Sequence, residues 1–298
     1  MVTLDILIPH FNDPEGLGLS LQSVAEQTWQ GEMRVIVVDD GSTDENFAAV
    51  ERIVAASGLT ITLHRNPRNL GRPRTRNRLL DLAAAPYLAW LDADDVWYPD
   101  KIETQFALLD RLVAQGEDPA KLWITCDYDW QWEGQNARLV EQDVTDDQFR
   151  SLFLGDRLRA YLWTLLGTAE SFHRVGGFDE ELPRLQDLDF FLRFIETGGR
   201  IFSTGESIPH CRYNKSDLGR SATEIWACNQ RIMDKNRHHL ERFDPATIRR
   251  IRYKAYRLSA RYALNNKEYL SWAKYMAAGL GGDPRYAAYR IRRRILGR

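Results

Sequence analysis

Residues Tyr87–Asp100 read YLAWLDADDVWYPD. Leu88-Ala89-Trp90-Leu91 is an apolar run of strand length, and it stops abruptly at Asp92, Asp94 and Asp95. Carboxylates this close repel one another and lose hydration wherever they are partly buried. A strand that ends in three acids needs something positive for them to face. The flanking sequence says where such a strand belongs. LDILIPHF (4–11) is a short apolar run with Pro9 as its stop. MRVIVVDDGSTD (33–44) is a β-branched run followed by turn residues, and LTITLHRN (59–66) alternates like a strand. Between these runs, 16–28, 45–57 and 72–85 carry apolar residues at helical spacing. Strand–helix alternation predicts an α/β fold with a parallel sheet covered by helices. Ligands of such sheets bind at the carboxyl ends of the strands. Pro9–Asn12, Asp39–Ser42 and Asp92–Asp95 are therefore expected along one crevice.

Beyond Pro99 the pattern changes. Residues 100–116 read as a helix, and KLWITCDYDWQWEG (121–134) as a strand and turn. VGGFDEEL (175–182) is a turn, LDFFLRFIETGG (188–199) a helix, and RIFSTGESIPHCRYN (200–214) an edge strand. From Thr223 the reading is helical, with 223–243 as one helix. Asp244-Pro245 caps and opens the next, and 284–298 form a short basic amphipathic helix.

The chain has 298 residues, 44% of them hydrophobic, enough for a substantial core. Its net charge of −2 hides an asymmetry: residues 245–298 hold 14 Lys+Arg against 2 Asp+Glu, a local charge of +12 on an otherwise acidic chain. Cys126, Cys211 and Cys228 are few, odd in number and unpaired in spacing, which argues against a disulfide framework or zinc site and for a reducing compartment. No signal peptide and no membrane-spanning run is read, so a soluble cytoplasmic protein is expected.

On an extended strand end, residues i and i+2 point the same way, so Asp92 and Asp94 converge. Paired carboxylates suit a hard divalent cation, Mn²⁺ or Mg²⁺, shared with substrate phosphates; the bland alternative is a solvated turn capping the next helix. Asp39 and Asp40 end another strand and suit base or ribose hydrogen bonds, though Asp-Gly is also plain turn chemistry, with Asp44 as a helix cap. Arg72, Arg74 and Arg76 open a helix between the two acidic sites. One of them is expected at a diphosphate, Arg72 first because it lies nearest the helix start.

ILIPHFND, VIVVDDGSTD, NLGRPRTRNRLLDLA, YLAWLDADDVWYPDKIE and GGFDEELPRLQDLDFFLRF, in this order, resemble the family 2 glycosyltransferases of the GT-A fold over roughly residues 4 to 215. The resemblance implies a mixed sheet flanked by helices: 1–100 as the nucleotide-sugar-binding half of one domain, 101–220 as its acceptor-binding half, and 221–298 as a basic helical extension. It implies a nucleotide-diphosphate sugar donor, a UDP-sugar in the leading reading, a divalent metal, and inversion at the anomeric carbon. By position, Pro9 and Phe11 frame the base, Asp40 bonds it with Asp39 beside it, and Arg72 serves base or diphosphate. Asp92 contacts ribose or donor, Asp94 ligates the metal, and Asp95 lies by the donor sugar.

The resemblance also implies an acidic base at Gln186-Asp187, which makes Asp187 the expected group that takes the acceptor's proton; its alternative is a helix-start acid stabilised by the helix dipole. Asp189 is the weaker candidate. His210 or Arg212 reaches the metal or diphosphate, with Asn214 where a His is more usual. His10 and Gln186 depart from the family pattern. Trp97 and Trp163 are watched for stacking on a sugar, alongside Trp130 and Trp132. The acceptor is expected to be a glycan or lipid-linked hydroxyl in surface polysaccharide synthesis.

Two competitors remain: a sugar nucleotidyltransferase, which wants a Gly-rich loop that PHFNDPEGLG lacks, and a non-catalytic sugar-nucleotide or glycan binding module. The last helix, with Arg285, Arg290, Arg292, Arg293, Arg294 and Arg298 beside Ala288, Ile291 and Ile295, suits an anionic membrane surface or packing on the acidic body. Nucleic acid is not expected as a partner, and the C-terminal helices offer a surface for oligomers.

Overall fold

The computed structural model describes residues 2–132, 136–205, 207–215 and 221–295, with backbone alone at 132, 215, 290, 291 and 293–295. Two compact units divide the chain: 1–181 with 186–216, and 182–185 with 217–298. The first is built on a seven-stranded sheet. Its strands are β1 (Thr3–His10), β2 (Glu32–Asp39), β3 (Ile61–Arg65), β4 (Tyr87–Trp90), β6 (Leu122–Thr125), β9 (Leu166–Thr168) and β10 (Arg200–Ser203). They lie in the order β10-β6-β9-β4-β1-β2-β3. β1 pairs parallel with β2 and β4, and β2 with β3; β9 runs antiparallel to both β4 and β6. The sheet is therefore mixed. A second, four-stranded sheet takes β5 (Val96–Trp97), β11 (Cys211–Lys215), β7 (Tyr128–Trp132) and β8 (Arg138–Val140).

The helices of this unit are α1 (Pro14–Ala25), α2 (Asp44–Ala56), α3 (Arg72–Leu82), α4 (Lys101–Ala114), α5 (Gln148–Leu154), α6 (Ala169–His173) and α7 (Gln186–Glu196). Because side chains alternate along a strand, the continuous apolar runs 6–9 of β1 and 35–38 of β2 are stable only if both faces are covered. Leu4, Ile6, Ile8, Val35 and Val37 join α1 and α4 in one buried cluster. Towards the other end of the sheet, Trp123 stacks on Phe194 with centroids 3.7 Å apart and on Phe190 at 5.4 Å. Asp5, 1% exposed inside β1, is satisfied by Ala84 N–H and Ala85 N–H at 2.8 Å each and by Arg34 Nε at 2.9 Å, as a buried charge requires.

The second unit is helical: α8 (Ala222–Lys235), α9 (Arg237–Leu240), α10 (Pro245–Asn265), α11 (Tyr269–Gly282) and α12 (Pro284–Ile295). Asp244 caps α10 as expected, accepting from Ala246 N–H and Thr247 N–H. No helix among the described residues is long and apolar enough to cross a membrane.

Five local expectations are corrected. β1 runs through Pro9 to His10, because His10 C=O still accepts from Asp40 N–H at 2.8 Å. The hydroxyl of Thr43, not the carboxylate of Asp44, caps α2. Residues 200–214 are two strands in different sheets, β10 and β11, as are 121–134 in β6 and β7. The helix expected over 223–243 breaks at Asn236, whose φ of −105° leaves the helical range and whose side chain donates to Ile232 C=O. Arg298 lies outside the described residues.

Candidate active site

The carboxyl ends of β1, β2 and β4 open on one side of the sheet, because these strands run parallel and in register. The loops there are tied to one another. After β1, Asn12 takes a left-handed φ of 52°. Its N–H donates to Ser42 Oγ at 2.7 Å, and its Oδ1 accepts from Thr43 N–H and Asn46 Nδ2. Asp39 is fully buried. It accepts from His10 Nδ1 at 2.8 Å, from Ser42 N–H at 2.9 Å and from the Ser42 hydroxyl. His10 Nε2 accepts from Asp13 N–H, which leaves Nδ1 as the donor facing Asp39. Burial opposes ionisation of Asp39, but the bonds from His10 and Ser42 outweigh it and hold the carboxyl below its ordinary value.

Asp40 Oδ1 accepts from Asn66 Nδ2 and Leu70 N–H at 2.9 Å each, and Oδ2 from Gly71 N–H at 3.0 Å. Gly41 is indispensable here. Its φ is +71°, and a Cβ would stand 2.2 Å from the Arg68 carbonyl carbon. Asp40 thus fastens the loop before α3 to the end of β2, and Asp39 fastens the end of β1 there through His10. This revises the role expected for Asp39, which is closed to any ligand, and narrows that of Asp40, whose three protein donors leave one lone-pair direction on Oδ2.

The acidic turn after β4 is anchored from outside. Ser20 Oγ donates to Asp95 C=O at 2.8 Å and Asp92 C=O at 3.2 Å. Asn214 on β11 donates its N–H to Asp95 Oδ1 at 3.0 Å and its Nδ2 to Asp94 C=O at 2.7 Å. The three carboxyls differ sharply. Burial works against ionised Asp92, but Arg76 and Arg72 prevail and hold it low. Burial, then the charge of Asp92, pushes Asp94 up to about 6. Asp95, buried and next to Asp94 and Asp92, is driven well above the carboxylate range, and its Oδ2 is buried with no hydrogen-bond partner.

A deficit of positive charge, an orphaned buried carboxylate oxygen and an all-oxygen donor set fit a hard divalent cation. Asp94, whose carboxyl has no arginine partner of its own among the ion pairs of the described residues, is the residue that would hold it, with Asp92 beside it.

The buried positive charge here is Arg76. Its guanidinium is fully buried and bridges two acids: Nη2 reaches Asp92 Oδ1 at 3.0 Å, and Nη1 pairs with Asp187 Oδ1. Asp187 stands in the first turn of α7 and keeps 21% of its side chain exposed; Asp92 keeps 23%. Both therefore still face the crevice. Burial raises the Asp187 carboxyl above its ordinary value although Arg76 opposes it. Asp189 is 1% exposed and pairs back to Arg193 at 2.9 Å, away from this cluster. Arg72 is exposed and close enough to favour ionisation of all four acids. Arg74 pairs with Glu180. The arginine the sequence reading ranked below Arg72 is the one locked between the acids. Helical spacing alone cannot distinguish 72 from 76, which share a face.

Phe11 is 46% exposed at the crevice mouth beside Pro9. His210 is not brought to the acidic turn. Its C=O accepts from Tyr98 N–H, and its Nδ1 lies 3.1 Å from Asp100 Oδ1. These partners lie four and six residues past Asp94; Asn214 meets the acidic turn instead. Trp97 and Trp163 are each 1% exposed, the Trp97 indole donating to Trp163 C=O, so both are core rather than sugar platforms. Trp130 packs on Tyr213 and Tyr161.

The family model described as Glycosyl transferase family 2 matches residues 5–169, more than half the chain. The amylovoran biosynthesis glycosyltransferase AmsB of Erwinia amylovora is 27% identical over 292 residues, covering 92% of this chain and 90% of that protein. An uncharacterized glycosyltransferase of Rickettsia conorii is 30% identical over 194 residues, 64% of this chain but 31% of the relative. The structure of S. aureus TarS residues 1–349 with UDP-GlcNAc has a TM-score of 0.67 at 16% identity, covering 94% of this chain and 81% of that one. The mixed sheet is thus the GT-A fold, and the chain belongs to glycosyltransferase family 2.

Proposed function

We propose that the protein is an inverting, metal-dependent glycosyltransferase. It moves one sugar from a nucleoside-diphosphate donor, a UDP-sugar, to a hydroxyl of a glycan or lipid-linked acceptor in surface polysaccharide synthesis. The observation that carries this reading is the buried Arg76 bridge, which fixes the candidate base Asp187 and the acidic turn at Asp92 on one crevice. Two similarities favour the donor and product class: TarS, which shares the fold, was solved with UDP-GlcNAc, and AmsB is named for amylovoran biosynthesis.

In this reading residues 1–100 hold the donor and 101–220 the acceptor. Phe11 stacks on the base with Pro9 at its edge, and the open lone pair of Asp40 Oδ2 faces the base. Arg72 meets the diphosphate, and Asp92 and Asp95 shape the donor pocket. Asp94 would hold a divalent cation, Mn²⁺ or Mg²⁺, which would supply charge to offset what builds on the departing diphosphate. Asp187 uses Oδ1 to pair with Arg76 and leaves Oδ2 for the acceptor. It takes the hydroxyl proton as that oxygen bonds to the anomeric carbon from the face opposite the diphosphate; the bond to the diphosphate breaks and UDP leaves. Arg76 keeps Asp187 ionised and aimed, while partial burial keeps it basic enough to accept a proton.

The test is Asp187→Asn. UDP affinity should stay within about threefold, while UDP release from a UDP-sugar should fall roughly 10²–10⁴-fold. Unchanged turnover would remove Asp187 from the mechanism.

A further inference from the structure

α11, YLSWAKYMAAGLGG, has a single charged residue, Lys274, in 14 positions. One side packs inward: Tyr275 and Gly279 are buried, and Tyr275 joins Ala260, Tyr262 and Ala263 of α10 in a core with α8. The other side is apolar as well. Leu270, Ala273, Ala277 and Leu280 repeat at helical spacing and are all exposed, Leu270 at 90%. A helix that is apolar all round is normally covered all round. The uncovered face continues round the end of the α10–α11 hairpin. There Leu264 is 49% exposed and Tyr269 63%, on either side of a turn closed by Lys267 N–H to Leu264 C=O and Glu268 N–H to Ala263 C=O. These two hydrogen bonds fix the turn with Lys267 in the left-handed region at φ 62°, so the apolar tip is a built feature.

We infer that this hairpin tip and the outer face of α11 form a docking surface for an anionic lipid bilayer. Charge decides between a bilayer and a second copy of the chain. Lys267 in the turn and Lys274 on α11 itself are exposed cations beside these apolar residues, within a segment whose net charge is +12. A second copy would bring the same excess and repel it; acidic headgroups would neutralise it. At 1.5 Å per residue α11 is about 21 Å long, too short for a hydrocarbon core of about 30 Å, so it lies in the interface rather than crossing it. The inference concerns where the enzyme sits and is independent of the donor chemistry.

The test uses the full chain and vesicles of phosphatidylcholine with or without phosphatidylglycerol, read by flotation. Binding should require phosphatidylglycerol and weaken as salt is raised. Leu270→Glu should lower partitioning at least about tenfold, the effect of replacing one inserted leucine by a charge. Val113→Glu, at an exposed apolar site on α4, should leave it unchanged. Because Leu270 is almost wholly exposed, its replacement spares the fold, checked by an unaltered circular dichroism spectrum. No flotation with anionic vesicles, or flotation indifferent to Leu270→Glu, overturns the inference. So does a concentration-dependent dimer in sedimentation that Leu270→Glu abolishes, which would give the face to a second copy.

Discussion

Replacing Asp94 by asparagine should make the metal-free protein more stable while disabling it. Burial and the Asp92 charge displace the Asp94 carboxyl from 3.8 to about 6. At about 1.4 kcal/mol per tenfold change in proton affinity, holding that carboxylate ionised at pH 7.5 costs up to about 3 kcal/mol of folding free energy. Some of this is relieved by water at a site that is only partly buried, so Asp94→Asn should gain about 1–2 kcal/mol. In a domain of this size that is a rise of roughly 3–6 °C in Tm.

The pH dependence has a fixed sign. The folded pKa lies above the unfolded one, so the folded state binds the proton more tightly. Metal-free stability should therefore rise as pH falls through about 6 and level off near 4. Asp95 and Asp187, also raised, act in the same sense. Asp39 and Asp92, held low, act in the opposite sense and only below about pH 4. The assay is differential scanning fluorimetry at pH 5 and 7.5, with EDTA and with Mn²⁺. The parent should gain stability from Mn²⁺ at pH 7.5, and Asp94→Asn should gain little. An Asp94→Asn protein that melts at or below the parent in EDTA at pH 7.5 would refute the claim that this acid is a destabilised cation ligand.

Other outcomes follow from single contacts. Arg76→Met should destabilise by about 3–5 kcal/mol, because it leaves Asp92 and Asp187 without their buried partner, and chemical denaturation measures this directly. Gly41→Ala should lose about 1–3 kcal/mol and raise the KM for the donor, since its Cβ would displace the Arg68 backbone and loosen the Asp40 clamp; wild-type KM and stability would contradict that clamp. Phe11→Ala should weaken nucleotide binding by about 1–3 kcal/mol, the range of one stacking contact, with kcat changed far less; an unchanged Kd for UDP would remove Phe11 from the base site.

The sequence made the architecture legible because three apolar runs ended in polar or turn residues, at Pro9–Asn12, Asp39–Ser42 and Asp92–Asp95, two of them in acids. Parallel register then gathers these ends without further information. What pattern could not supply is which groups saturate which. Asp39 and Asp40 read as ligands because a carboxylate in a turn looks available. Only the fold shows His10, Ser42, Asn66 and the Leu70–Gly71 amides converging on them. Arg76 differs from Arg72 by one helical turn, so its burial depends on where α3 rests on the sheet. His210 and Asn214 are four residues apart, and the pairing of β11 with β5 decides which one meets the acidic turn. Trp97 and Trp163 carry no local mark of their burial, which comes from the packing of two sheets.

The measurement that bears most directly on the central claim is calorimetric titration of the intact protein with UDP, with and without Mn²⁺, beside GDP, CDP and dTDP. The account predicts UDP binding that is tight only with the metal, weak for the other nucleotides, and lost in Asp94→Asn. A folded protein that binds none of the four with Mn²⁺ present would contradict it.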